Sequence, residues 1–281
     1  MIDLHVHTKV SDNSLSTGEV ILQAREKGIT HIAITDHDTT KGIGEAMELG
    51  KQMGVGIIPG IEISAYDFLR HKRAHILGYY VEPGHPSLER LCIPLTQSRN
   101  QASYQMVGKV MAAGYAITWE GVLKYGGGTG VYKQHIMHAL LDQGYCDSIY
   151  GDLYKKLFGR GDNGEPRGIA YVPLVYIDAR AAIRAVREAG GIPVLAHPGQ
   201  FANFDAVDEW VTLGLGGIEV FHPSHYAHDC MRARDYAGRH HLIITGGSDF
   251  HGAYSEMPLE LGCPELGEEC ITALAALKQT R

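Results

Sequence analysis

Seven short apolar runs recur along the chain and set the first limit on its fold: IDLHVH (2–7), HIAIT (31–35), VGIIPG (55–60), AHILGYY (74–80), IPVLA (192–196), GIEVF (217–221) and LIITG (242–246). Most are rich in β-branched residues and about five to seven long, as suits strands buried on both faces. Amphipathic stretches lie between them, such as TGEVILQAREKG (17–28) and DARAAIRAVREAGG (178–191), the second ending at Gly190 as a helix stop. This strand–helix alternation predicts an α/β chain with a parallel sheet. Neither a GxGxxG nor a Walker motif accompanies it in the 281 residues. The expectation is therefore a seven-stranded β/α barrel in preference to an open nucleotide-binding sheet.

One region breaks the rhythm. From 87 to 172 the sequence reads mostly helical (SRNQASYQMVGKVMAAG, VYKQHIMHALLDQG, DSIYGDLYKKLFG), with glycine-rich joints such as YGGGTG. It holds nine Lys/Arg and seven Asp/Glu, against 16 and 25 in the remainder of the chain. That charge shift marks an inserted small helical subdomain between the fourth and fifth strands. The expected organisation is a barrel built from 1–86 and 173–281, with an inserted, mostly helical subdomain at 87–172 that is either plain decoration or functional.

Composition excludes several classes. No apolar run approaches the roughly 18 residues that span a membrane, and the first residues lack the basic and apolar segments of a secretory signal. Five widely spaced cysteines without a CxxC predict reduced thiols and a cytoplasmic protein. A net charge of −7 argues against a broad nucleic-acid surface. Sixteen histidines are the one compositional oddity.

Those histidines point to metal because of where they fall. Polar residues gather at the ends of the apolar runs: His5 and His7, then Asp36, His37 and Asp38, then Glu62, His197, and finally Asp249 with His251, while His75 sits just inside the fourth run. In a parallel barrel such ends converge on one face. Strand periodicity turns His5 and His7 to the same side, and Asp249 and His251 repeat the spacing in GGSDFHG. A sulfur-free set of nitrogen and oxygen donors suits Zn²⁺, Mn²⁺ or Fe²⁺. Unpaired buried charges cost several kcal/mol each, so a core accepts this many only if something compensates them. Asp3, Asp36 and Asp38 are expected either to fix an imidazole orientation or to serve in turns.

The motifs DLHVHT, VSDNSLS, ITDHDT, PGIEIS, AHILGY, LAHPG and GGSDFHG, in this order from residue 2 to about 252, resemble the polymerase and histidinol phosphatase (PHP) superfamily of metal-dependent phosphoesterases. The resemblance is strongest with the subfamily that carries a small helical insertion. It implies a distorted seven-stranded barrel and two or three divalent ions. One ion would take His5, His7, Glu62 and Asp249; a second Asp12, His37 and His251; a third would share Glu62 and add His75 and His197. Asp12 stands where some members have a histidine.

The expected reaction is hydrolysis of a phosphate ester of a small metabolite, a nucleotide or sugar phosphate, by a hydroxide generated on adjacent ions. No GxSxG nucleophile motif competes with direct water attack. His197, or His222 in EVFHPSH, would protonate the leaving group, with His225 beside it. The resemblance also implies that the 87–172 insertion caps the substrate at the barrel mouth, so Arg99, Lys133, His135 and Arg167 there are candidate substrate contacts, with His225 outside it; His138 is expected to serve packing. A diesterase acting on cyclic phosphates or oligonucleotide 5′ ends is the neighbouring alternative. A C–N hydrolase and a non-catalytic metal-binding module are the more distant ones. Extended nucleic acid is not an expected partner.

Overall fold

The first runs fold as β1 (Ile2–Val6) and β2 (His31–Ile34), paired in parallel, in a computed structural model that describes residues 1–161, 164–255 and 257–279. Helix α1 (Thr17–Glu26) joins them, started by a capping box between Ser16 and Glu19. Helix α2 (Ile43–Met53) leads to β3 (Gly56–Asp67), again parallel to β2. Here the structure departs from a purely parallel sheet. β3 does not stop at Gly60: Ile61, Ile63 and Ala65 alternate with Glu62, Ser64 and Tyr66 up to Asp67. The Asp67 carboxylate then accepts the Leu69 and Arg70 amides and turns the chain back. The next strand, β4 (Lys72–Tyr79), therefore runs antiparallel to β3.

Helices α3 (Pro86–Ala112), α4 (Trp119–Leu123), α5 (Lys133–Asp142) and α6 (Asp152–Phe158) follow, then the two-residue β5 (Ile177–Asp178) on the far end of β3. Helix α7 (Ala179–Glu188) returns the chain to β6 (Ile192–Leu195), antiparallel to β4. After α8 (Pro198–Phe201) and α9 (Val207–Thr212) come β7 (Gly217–Phe221), α10 (Ala227–His240), β8 (Ile243–Gly246) and α11 (Glu269–Gln279). The sheet order β1-β2-β3-β4-β6-β7-β8 makes a nearly closed seven-stranded barrel with one reversed strand. Because β4 is reversed, its beginning lies at the end where the parallel strands finish, which brings His75 to their level.

Ile2, Leu4, Ala33, Ile58, Leu77 and Val194 fill the barrel interior, and Leu274 of α11 packs with them. Outside, α1 and α2 cover Val6, Ile32 and Ile34, while α7, α9 and α10 cover Ile63, Ile76 and Ile218, with Trp210 fully buried. The register of β1 shifts between Asp3 and Val6, so Leu4 belongs to the interior while Val6 packs on the outer helices. Bulges of this kind re-aim side chains beside functional sites. This one turns His5 and His7 to the upper interior.

Closure between β1 and the chain beyond β8 is sparse in ladder bonds. The His7 amide donates to the Phe250 carbonyl at 3.3 Å. Below it the buried Asp3 carboxylate takes over, accepting the Ser248 amide (2.9 Å), the Ser248 hydroxyl (2.5 Å) and the Gly262 amide (2.7 Å). Asp3 thus serves the barrel join and orients no imidazole. Gly247 lies against β1 so closely that a Cβ there would sit 2.4 Å from the His5 nitrogen.

The helices between β4 and β5 have their own core, in which Met106, Val110, Ile136, Leu140 and Leu157 pack with Tyr254. The first turns of α3 instead pack Leu88, Cys92 and Leu95 on the barrel's outer layer. Among the described residues no helix is long and apolar enough to cross a membrane.

Candidate metal centre

Glu62 is the hub. Its Oε2 lies 3.3 Å from His5 Nε2, 3.2 Å from His7 Nε2 and 3.1 Å from His37 Nδ1. Its Oε1 lies 2.8 Å from His75 Nδ1 and 2.9 Å from His197 Nε2. Asp249 Oδ1 completes one group at 3.3 Å from His5 Nε2 and 3.1 Å from His7 Nε2. Asp12 Oδ1 gathers a second, 3.4 Å from His251 Nε2 and 3.6 Å from His7 Nδ1, with His37 Nε2 3.9 Å from Oδ2. All nine residues that the sequence singles out for metal are brought to one end of the barrel.

The donor set fits divalent cations on an observation independent of any motif. His5 Nε2, both nitrogens of His7, His37 Nδ1 and Asp249 Oδ1 are buried without a hydrogen-bond partner. A buried polar group left unsatisfied costs about 1–3 kcal/mol, and these converge where cations would satisfy them together. Charge reads the same way. Burial disfavours the charged forms, yet it is outweighed at Glu62 and Asp249, where the surrounding imidazoles hold both carboxyls well below their usual range. Burial opposes protonation of His7 as well, but Asp249, Glu62 and Asp12 push it up to about 10. At His37, His75 and His197 burial wins and lowers the pKa, which keeps these rings in the unprotonated form a ligand needs.

The supporting carboxylate at the site is Glu219, which the sequence reading missed. Buried in the middle of β7, it places Oε1 3.1 Å from His5 Nδ1 and accepts the His197 amide on Oε2 at 2.8 Å. The signal was there: a lone glutamate inside the apolar run GIEVF. Asp36 and Asp38, for which an imidazole partner or a turn role was open, bond other groups. Asp36 accepts the Thr8 amide and the Thr8 and Ser11 hydroxyls, fixing the loop that carries Asp12. Asp38 accepts the Ser64 amide and pairs with Arg99. Asp38, His197 and Asp249 all hold positive φ, which places local backbone strain around the site.

The structure separates the candidate proton donors and substrate contacts. His197 Nε2 is turned to Glu62. His222 Nε2 is enclosed and faces Asp249 Oδ2 at 3.3 Å, with Nδ1 on the Ser224 hydroxyl. His225 spends both nitrogens on backbone, accepting from the Gly199 amide and donating to the Val220 carbonyl, and lines a separate cavity with Cys230. His135 is fully buried, with Nδ1 accepting the Tyr132 amide; Arg167 is exposed over Tyr171. His138 stacks on Tyr125 and bonds the Tyr254 hydroxyl. Arg99 is buried, holding Asp38, Ser64 and Tyr132, and forms a wall of the mouth. Lys133 alone of these has its ammonium at the mouth without a carboxylate partner among the described residues.

That mouth has two compartments sharing Asp12 and Gln134. One, about 200 Å³, runs from His37 and His75 to Arg73, Lys133, Arg160 and Tyr171. The other, about 490 Å³, runs from Asp249 and His251 to Tyr150, Tyr226 and Tyr254.

The PHP domain signature matches residues 3–153, more than half of the chain and most of the ligand set. The chain belongs to the PHP family. It is a metal-dependent phosphoesterase, as its family and the relatives named below show, and the clustered donor set is in keeping with that. A phosphoribosyl 1,2-cyclic phosphate 1,2-diphosphodiesterase of Eggerthella lenta is 44% identical over 257 residues, covering 91% of this chain and 96% of the relative. A 3′,5′-nucleoside bisphosphate phosphatase of Chromobacterium violaceum is 30% identical, covering 89% and 87%. The 5′-3′ exoribonuclease Rnm of Escherichia coli is also 30% identical, covering 89% and 84%. Among solved structures, a protein assigned as a metal-dependent phosphoesterase from Bifidobacterium adolescentis superposes with a TM-score of 0.86 at 28% identity, covering 98% and 95%.

Proposed function

We propose that this PHP protein hydrolyses a phosphate ester of a small sugar-type substrate that carries a second phosphate, with a cyclic phosphodiester as its favoured ester. The observation that carries this reading is the cationic compartment beside His37 and His75. Lys133 is largely withdrawn from water there, and burial together with Arg160 and Arg73 pushes its pKa down to about 8. A desolvated ammonium flanked by guanidiniums is costly unless an anion joins it. Tyr171 and Tyr176 complete a wall of sugar-sized dimensions. The 44% identity to the cyclic phosphate diesterase supports the cyclic ester.

We assign His5, His7, Glu62 and Asp249 to one ion, Asp12, His37 and His251 to a second, and Glu62, His75 and His197 to a third, with Mn²⁺, Zn²⁺ or Fe²⁺ as candidates. Bound there, divalent ions supply Lewis acidity, charge neutralisation and a source of hydroxide near neutral pH. The chain's own residues do the rest. Glu219 fixes the His5 ring, His222 steadies Asp249, and Lys133 with Arg160 anchors the remote phosphate so that the reacting ester lies against the donor cluster. The larger compartment, with Tyr226 73% exposed, favours a second reading in which a nucleobase stacks there, as at an oligonucleotide 5′ end.

Phosphate release from paired substrates tests the proposal: a ribose cyclic phosphate with and without a 5-phosphate, beside a 3′,5′-nucleoside bisphosphate and a short oligonucleotide. Lys133→Met is expected to raise KM about 10–100-fold for the 5-phosphorylated sugar while leaving the unphosphorylated analogue unchanged. Equal effects on both would remove the remote-phosphate assignment.

A further inference from the structure

We infer that the helical layer is a working part of the metal centre: Gln134, with the strap at 127–131, fixes Asp12, so that the ion assigned to Asp12, His37 and His251 binds in step with docking of that layer. The inference rests on the metal assignment above and concerns how one ion is held.

Asp12 sits on the loop between β1 and α1. The barrel holds the backbone of this loop through Asp36 and through Asn13, whose amide group donates to the His7 and Phe250 carbonyls. The Asp12 carboxylate is held differently. Its Oδ1 faces the Ser11 hydroxyl, His7 and His251. Its Oδ2 accepts a 2.9 Å hydrogen bond from the Gln134 amide, a buried group on the first turn of α5. That bond keeps Oδ1 towards His7 and His251 and stops the carboxylate from rotating away.

Two further ties join the same layer to the same ligands. The Val10 carbonyl, two residues before Asp12, accepts both the Thr129 amide (3.0 Å) and the Thr129 hydroxyl (2.9 Å). Gly127 packs on this loop so tightly that a Cβ would fall 1.4 Å from the Lys9 carbonyl oxygen, so any side chain would push strap and loop apart. The strap is fastened to α3 through Asn100 and Ser103, and Arg99 on the same helix grips Asp38, the residue after His37. The Asp12 carboxylate is therefore tied to α5, its loop to the strap, and the segment that carries His37 to α3. Coupling of this kind is reciprocal: whatever docking adds to the ion's affinity, the ion adds to docking.

Titration of metal-stripped protein with Mn²⁺ is the test, counting bound equivalents and following amide hydrogen exchange over 127–140. Gln134→Met removes the donor and keeps the volume; Gln134→Asn keeps an amide one methylene too short. Gln134 is a positioning residue, so the readout is metal affinity and exchange, not turnover. Both variants, checked for native circular dichroism, should bind one equivalent about 10–100-fold more weakly with the other equivalents unchanged. In the wild type Mn²⁺ should slow exchange over 127–140, and this protection should be lost in the variants. Unaltered affinity for every equivalent, or wild-type exchange over 127–140 indifferent to Mn²⁺, would overturn the inference while leaving the phosphoesterase reading standing. A wild type that binds no Mn²⁺, Zn²⁺ or Fe²⁺ would overturn both.

Discussion

Glu219→Gln isolates what a buried carboxylate does behind a metal ligand. His5 Nε2 faces Glu62 and Asp249 without a hydrogen bond; in the ligand role proposed above it would offer a lone pair to the cation, which puts the ring proton on Nδ1. That proton is donated to Glu219 Oε1, while Oε2 accepts the His197 amide. Two donors thus converge on two acceptor oxygens in a fully buried pocket. Glutamine keeps the shape but offers one carbonyl oxygen and one NH₂ group, so one donor must face another. Hydrogen bonds to charged groups contribute about 1.5–3 kcal/mol, and about 1.4 kcal/mol is tenfold in affinity. Mn²⁺ affinity should therefore fall about 10–100-fold, matching the usual effect of removing a ligand's supporting partner. The assay is kcat/KM across a Mn²⁺ series: activity should drop at low Mn²⁺ and recover largely at high Mn²⁺, with KM for substrate unchanged. If Glu219→Gln showed wild-type activity at every Mn²⁺ concentration, the tautomer argument would be wrong.

His7→Ala, which removes the ring that faces both donor groups, should abolish at least one bound equivalent and cut turnover by 100-fold or more, on the order expected for losing a direct ligand, with circular dichroism showing an intact barrel. Chelation of the wild type should lower Tm by roughly 5–10 °C, since ligand at 100 times its Kd stabilises by about 2.7 kcal/mol; a Tm indifferent to chelator would count against resident metal. His135 gives a pH signature: burial lowers its pKa to about 4 from the ordinary 6.5. The unfolded chain then takes up a proton between pH 6.5 and 4 that the folded chain refuses, so stability should fall with pH by up to about 3 kcal/mol from this residue. In chelator, His135→Gln should show that much less loss across the window, and identical denaturation midpoints against pH would exclude the effect.

How much of this was legible follows from what each pattern encodes. The seven runs and the barrel could be read because apolar, β-branched clusters mark buried strands whichever way they point. Direction is not in that signal. β4 has the composition of its parallel neighbours, and only the Asp67 turn and the alternation Glu62, Ser64, Tyr66 show that β3 continues and folds back. The clustered histidines and carboxylates were legible because polar residues at strand ends are costly without a cation. Glu219 was not, because it stands one strand layer deeper, where a single acid in an apolar run resembles an exception. Between the two roles open to Asp3, Asp36 and Asp38 the sequence could not choose, because a carboxylate near a histidine in sequence bonds whatever donor the fold brings nearest, here backbone amides, hydroxyls and Arg99. His225 and His135 likewise carry nothing local that distinguishes a backbone-bonded ring from a substrate contact.

The two kinds of ligand also differ in when a folding chain can bring them together. Glu62 and His75 share one hairpin, 13 residues apart, and can meet as soon as that hairpin forms. His5 and His7 reach Asp249 only when the opposite ends of the chain arrive side by side, the costliest loop to close. The join they straddle has few strand-to-strand bonds beyond His7 to Phe250. An ion held by these residues would act as a clasp between the first strand and the chain just beyond the last, complete only once the barrel has closed.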